Sequence, residues 1–158
     1  MCGRRARRYA RAVIRTDWQV RVDRTPEQVF DFVADLRNGP AWNPDSSNVV
    51  MTSDGPVGPG SVFEEDRERF GRTVTTIDLF ERPKRLGFDA HASRIRVRVR
   101  YALEQDGAGT NVVCTAELRL RGASRLLEPM LAAVAKRGVE TSRGPALKTA
   151  LERERPVP

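Results

Sequence analysis

The chain has 158 residues, a length that suits one domain with its own hydrophobic core. Hydrophobic residues make up 39% and charged residues 31%, as in ordinary soluble domains, and no run of about 18 apolar residues offers a membrane-spanning helix. One histidine and two cysteines exclude a zinc finger, a Cys/His metal cluster and a disulfide scaffold. We therefore expect no metal and no other cofactor.

Positive charge is concentrated at the N-terminus. The net charge is +7, but residues 1–15 hold six arginines and no acid, so the rest of the chain is nearly neutral. This segment lacks the apolar stretch of a signal peptide, and we expect a cytoplasmic protein. We interpret residues 1–15 as a basic, disordered tail. The alternative is an arm that contacts anionic membrane or RNA weakly, through charge alone.

The first predicted elements are a strand and a helix. Residues 17–23 alternate between apolar and polar side chains, and this period of two predicts a half-buried strand. The sequence Thr-Pro-Glu-Gln at 25–28 then begins a helix, because threonine caps it, proline suits its first position and glutamine completes a capping box. Asn-Gly-Pro at 38–40 ends this helix, and a short turn or helix carrying Trp42 follows.

A series of strands follows, separated by turn residues rather than by helices. The predicted strands cover residues 48–52, 61–69, 73–81, 85–92, 94–104 and 111–121. Because no crossover helix separates them, an antiparallel sheet is expected. The chain ends in a long helix from about residue 124, in which Gly144-Pro145 predicts a kink or a break. We expect a single domain over residues 16–153, in which seven curved strands grip this helix.

Five segments carry a family likeness. They are residues 25–35, 42–45 (Trp-Asn-Pro-Asp), 60–63, 80–86 and 109–112. These segments resemble the polyketide cyclase/dehydrase branch of the START-like (SRPBCC) helix-grip superfamily, and the resemblance covers residues 17–152. It implies an α+β fold with two short helices after the first strand. It also implies that a hydrophobic small molecule, lipid-, sterol- or polyketide-like, binds between the sheet and the C-terminal helix.

The alternation along each strand predicts which side chains face that ligand. In 94–104 the apolar residues face inward and a row of arginines faces outward, and in 85–92 Phe88 faces inward while His91 faces outward. A helix lying on a curved sheet leaves a cavity, for which we expect several hundred Å³. The outward arginines are interpreted as a solvated face paired with Asp89 and Glu117. The alternative is that they follow a phosphate backbone.

The strand at 61–69 is the one that brings charge inward. If Phe63 faces the cavity, as the resemblance implies, then Glu65, Arg67 and Arg69 face it as well; if Val62 faces it instead, Glu64, Asp66 and Glu68 do. Buried charges must pair, so this phase predicts an ion pair in the cavity wall or at its mouth. The alternative is a strand near the sheet edge whose charges are solvated. In the next strand, the spacing of Ile77 and Phe80 predicts a bulge near Leu79.

The expected ligand-binding residues follow from these phases and from the last helix. They are Phe63, Glu65, Arg67, Arg69, Ile77, Phe88, Val97, Val99, Tyr101, Met130, Leu131 and Val134. No compact catalytic motif joins them, so we favour binding over catalysis. The alternative is a cyclase or dehydrase that uses Glu65 and Tyr101 as its acid/base pair. Cys114 faces inward without a histidine beside it, which indicates a core residue rather than a nucleophile.

Overall fold

A computed structural model describes residues 13–121, 126 and 128–153, with side chains except at 128, 131 and 134–141. Residues 1–12, which include most of the predicted basic tail, lie outside the described residues. The strands are β1 (Val13–Val22), β2 (Ser46–Met51), β3 (Val62–Arg67), β4 (Gly71–Glu81), β5 (Arg85–Ala92), β6 (Ile95–Asp106) and β7 (Gly109–Leu120). The helices are α1 (Pro26–Ala34), a 3₁₀ helix (Leu36–Ala41) and α2 (Glu128–Arg153).

The seven strands form one curved, open antiparallel sheet in the order β1-β7-β6-β5-β4-β3-β2. Each strand from β2 to β6 pairs with its successor in the chain through a hairpin, and β1 joins the far side of β7. The two short helices follow β1, and α2 packs on β1. The predicted helix-grip fold is therefore confirmed.

Strand β1 begins at Val13, earlier than the alternation at 17–23 indicated. Ile14 and Thr16 continue the buried side of the strand, and the Arg15 side chain reaches Glu117 on β7 at 3.1 Å. Residues 13–15 therefore belong to the sheet, although the sequence suggested that they belong to the tail. The run of arginines obscured the alternation, because one buried isoleucine between basic residues is a weak pattern.

Local sequence accounts for α1 as predicted. Thr25 Oγ1 accepts a hydrogen bond from the Gln28 amide at 3.3 Å, and Gln28 Oε1 accepts one from the Thr25 amide at 3.1 Å. This capping box satisfies two backbone donors at the start of the helix. The apolar face of α1 enters the core, where the Phe30 ring contacts the Phe80 ring edge-on at 4.9 Å. The register shift between Ile77 and Leu79 confirms the predicted bulge in β4.

Helix α2 runs unbroken from Glu128 to Arg153, so of the kink or break predicted at Gly144-Pro145 the break does not occur. Tertiary contact holds this part of the helix on β1. A Cβ atom at Gly144 would lie 3.2 Å from Val20 Cβ, and Leu147 and Leu151 are buried in the core. Pro145 is exposed and removes one backbone hydrogen bond from the helix. Burial of Gly144 before it and of Leu147 after it outweighs this loss. Within the described chain, no helix combines the length and the apolar character needed to cross a membrane.

Candidate functional site

A cavity of about 190 Å³ lies on the concave face of the sheet. It is closed by the turn after the 3₁₀ helix and by α2, which contributes Arg143. Much of its wall is aliphatic or aromatic, and the residues concerned include Ile14, Phe88, Ala90, Val97, Val99 and Leu118. The cavity exists where it was predicted, but the expected volume of several hundred Å³ is wrong.

Large aromatic side chains explain the small volume. Trp18 contacts Trp42 edge-on at a centroid distance of 6.4 Å and Tyr101 at 6.0 Å. Tyr101 also meets Phe88 edge-on at 6.1 Å. All four rings line the cavity, and each supplies one edge or face to its neighbours, the favoured arrangement for aromatic pairs. The rings occupy space that smaller residues on the same strands would leave open.

A buried carboxylate lies in the wall opposite. The Glu65 side chain is 1% exposed and accepts hydrogen bonds from Ser46 Oγ at 2.6 Å and from Arg67 Nη2 at 2.9 Å. Thr75 Oγ1 donates a third, longer bond at 3.4 Å. Three adjacent strands thus supply donors to one carboxylate, which satisfies a charge that burial alone would penalise severely. The interpretation that these β3 charges are solvated is wrong for Glu65.

Two arginines meet a second carboxylate at the same end of the cavity. Asp45 Oδ2 lies 3.9 Å from Arg67 Nη1 and 4.0 Å from Arg143 Nη2. The turn that carries Asp45 is tied to the end of β3, because Asp45 Oδ1 accepts a hydrogen bond from the Arg69 amide at 3.2 Å. Burial, and then the positive charge of Arg67, lower the pKa of Arg143.

Tyr101 and Cys114 are paired across β6 and β7, and both side chains are buried. Burial, and then the contact with Cys114, raise the pKa of Tyr101 well above its ordinary value. Burial raises the pKa of the Cys114 thiol to about 12, although the neighbouring Tyr101 hydroxyl acts the other way. Both groups are protonated at neutral pH. Tyr101 is thus equipped to donate a hydrogen bond and not to accept a proton as a base.

The structure brings together most of the residues that were predicted to bind a ligand. Those that line the cavity are Glu65, Arg67, Arg69, Phe88, Val97, Val99 and Tyr101. Phe63 and Ile77 are buried in the core next to it and do not line it. Met130 is 62% exposed and is not part of the wall. The side chains of Leu131 and Val134 lie outside the described residues.

The outer face of the sheet holds the arginine row as predicted. Arg96 is paired with Asp89, and the carboxylate of Asp89 also lies 3.5 Å from the exposed His91 side chain. Arg100 Nη2 reaches Asp78 at 2.7 Å. Glu117 on β7 pairs with Arg15 on β1 and with Arg119 on its own strand, rather than with the arginine row on β6. His91 is therefore remote from the cavity and cannot activate Cys114.

Sequence reasoning missed several polar residues of the cavity, and three of them are Asp45, Ser46 and Arg143. Asp45 lies in the turn before β2 and Ser46 is the first residue of β2, where no alternation marks an inward side chain. The third, Arg143, had a usable signal: it precedes the buried Leu147 and Leu151 by four and eight residues, so a cation occupies the apolar face of the helix. Among the described residues, no group of three or more His, Cys, Asp or Glu side chains is placed to hold a metal ion.

Comparison with known families and structures agrees with this architecture. The model of the family described as "Polyketide cyclase / dehydrase and lipid transport" matches residues 13–152, which is most of the chain. No curated protein shows significant sequence similarity to this chain.

Solved structures similar to this chain share its fold at low sequence identity. The Zhui aromatase/cyclase from Streptomyces sp. R1128 is 17% identical over 90% of this chain and 95% of that one, with a TM-score of 0.72. The protein TTHA0849 from Thermus thermophilus is 18% identical over 88% and 97%, with a TM-score of 0.71. A START superfamily protein from Mycobacterium smegmatis is 13% identical over 88% and 97%, with a TM-score of 0.65.

Proposed function

Because the chain belongs to the polyketide cyclase/dehydrase and lipid transport family, we propose that it binds a small, largely apolar molecule in the cavity between the sheet and α2. The observation that carries this proposal is the composition of the cavity wall. Aliphatic and aromatic side chains form most of it, while Arg67, Arg143 and Tyr101 offer polar hydrogen atoms at one side. Apolar pockets with a few convergent polar groups are typical small-molecule sites.

The volume limits the size of the ligand. An engineered apolar cavity of about 150 Å³ accommodates benzene, so a cavity of about 190 Å³ suits one aromatic ring with substituents or two fused rings. A polyketide-like aromatic fragment therefore fits better than a sterol or a long acyl chain. Burial of its apolar surface would supply the main driving force, at about 25 cal/mol per Å².

The experiment is a binding measurement with three probes: 2-naphthol, cholesterol and palmitate. We expect 2-naphthol to raise the thermal midpoint and to appear as a one-to-one complex in native mass spectrometry. The variant Val99→Trp places an indole in the cavity and should abolish this complex while the domain stays folded. The matched control is Ala102→Trp on the same strand, whose side chain is exposed. The proposal would be contradicted if 2-naphthol still bound to the Val99→Trp variant. It would also be contradicted if none of the three probes bound to the wild-type protein.

A cyclase or dehydrase activity is a second candidate, favoured by one observation. The protonated hydroxyl of Tyr101 and the guanidinium groups of Arg67 and Arg143 surround the same cavity. Together they would stabilise negative charge that develops on a carbonyl oxygen, the usual contribution of such donors. Glu65 is a poorer base than the sequence suggested, because both of its oxygens already accept hydrogen bonds from the protein.

The enzyme candidate is tested with a linear poly-β-ketone as substrate. Tyr101→Phe should lower cyclisation strongly while 2-naphthol still binds, since only the donor is lost. Glu65→Gln should also reduce turnover, because Arg67 loses the carboxylate that holds its guanidinium in position. If the wild-type protein does not accelerate cyclisation, or if both variants keep full activity, the enzyme candidate is wrong and only the binding proposal stands.

A further inference from the structure

The charged residues that line the cavity do not balance. Among the described residues they are Arg67, Arg69 and Arg143 against Asp45 and Glu65, an excess of one positive charge, of which Arg69 is exposed to solvent. Glu65 is fully engaged by Ser46, Arg67 and Thr75, so it contributes nothing to the remaining arginines. A cavity wall with a surplus of positive charge is complementary to a ligand with one negative charge.

The N–H groups of the Arg143 guanidinium have no hydrogen-bond acceptor among the described residues. Its guanidinium makes no hydrogen bond to any of them, and its nearest carboxylate oxygen, on Asp45, lies 4.0 Å away, beyond hydrogen-bonding distance. The side chain is only 24% exposed. Arginine in such a setting normally forms bidentate pairs, because its planar fork of donors matches a carboxylate.

The position of Arg143 also fits a ligand in the aromatic part of the cavity. Arg143 lines the same cavity as Tyr101, Cys114 and Phe88. Tyr101 supplies a second donor, a hydroxyl that stays protonated. A ligand ring against Phe88 and Tyr101 could thus direct a substituent toward Arg143.

We propose that the ligand of this cavity is an aromatic carboxylic acid and that Arg143 binds its carboxylate. This inference rests on the proposed function and adds the charge and the chemical class of the ligand. The tyrosine hydroxyl donates to the same carboxylate. A neutral isostere leaves the guanidinium without a counter-charge and binds more weakly.

The test compares 2-naphthoate with 2-naphthamide, which have the same rings and nearly the same shape, by isothermal titration calorimetry at pH 7. We expect the wild-type protein to bind the carboxylate at least about tenfold more tightly, as for a buried hydrogen bond to a charged group. Arg143→Gln should remove this preference and leave the affinity for the amide within about twofold. Arg153→Gln, on the same helix but outside the cavity, should change neither affinity.

The outcomes separate the inference from the proposed function. If both compounds bind wild type equally, and Val99→Trp abolishes both, the cavity is the site and the carboxylate assignment is wrong. A preference that persists in Arg143→Gln also overturns the assignment. If neither compound binds, both the assignment and the proposed aromatic ligand class fail.

Discussion

Ser46 Oγ donates a hydrogen bond of 2.6 Å to Glu65 Oε2, and this bond joins the edge strand β2 to the charged wall of the cavity. The other carboxylate oxygen accepts from Arg67 on β3 and from Thr75 on β4. A single buried charge thereby ties three strands together at the point where the sheet faces α2. The same carboxylate neutralises Arg67 and so leaves Arg143 as the available cation.

This network makes the Glu65–Arg67 pair critical for stability. Arg67→Leu leaves the Glu65 carboxylate buried without its cation, and we expect the free energy of unfolding to fall by about 3 kcal/mol. The double variant Glu65→Leu/Arg67→Leu should be clearly more stable than Arg67→Leu, because no isolated charge remains. Urea denaturation measures both. A double variant less stable than the single one would show that the penalty does not come from the orphaned charge.

The outer face predicts a dependence on pH. A hydrogen bond from Arg96, followed by its charge, holds the pKa of Asp89 below the ordinary 3.8. A lowered folded-state pKa stabilises the protein above the ordinary value, and this contribution is lost as the pH falls through the folded value. We therefore expect Asp89→Asn to cost about 1 kcal/mol at pH 7, since the pair is partly solvated.

The difference between Asp89→Asn and the wild type should shrink as the pH falls below 3.8, the ordinary pKa of the group. Denaturant titrations at several pH values from neutral to strongly acidic measure it. The exposed Asp54 offers a control, Asp54→Asn, without this ion pair. A difference that stays constant with pH would mean that the aspartate acts through packing rather than through charge.

Cys114 should be inert toward thiol reagents in the folded protein. Its pKa of about 12, against an ordinary 9.0, leaves about a thousandfold less thiolate at pH 8, and thiolate is the reactive form. Burial shields the sulfur further. We expect a Cys2→Ser variant to react with Ellman's reagent at least a thousandfold faster in urea than in buffer. Rapid labelling of the native protein would indicate that the cavity opens readily to water.

Gly144 fixes the distance between α2 and β1. A Cβ atom at this position would lie 3.2 Å from Val20 Cβ and 3.4 Å from Trp18 Cε3. Gly144→Val should therefore lower the free energy of unfolding by about 1–3 kcal/mol, the typical cost of overpacking. Gly144→Ala should cost less, because its one methyl group needs a shift of only a few tenths of an ångström and alanine favours the helix. Equal stability of the valine variant and wild type would contradict this contact.

Much of the fold could be predicted because its patterns are local. The capping box at Thr25, the alternation in β6 and the bulge near Leu79 each depend on residues within a few positions of one another. The alternation in β3 left two phases open, and only the family resemblance favoured the one that places Glu65 inside together with Arg67. The start of β1 and the continuity of α2 were less accessible, since distant partners on β7 and β1 stabilise those segments.

The sequence by itself determined which faces of the strands are apolar, because side-chain direction alternates with a period fixed by the backbone. Only the tertiary structure decided how much space those faces enclose and which charges meet there. Asp45, Glu65 and Arg143 are far apart in the chain, and their distances depend on the curvature of the sheet and on the position of α2. Curvature and helix position arise from the sum of many long-range contacts, so no local pattern records them.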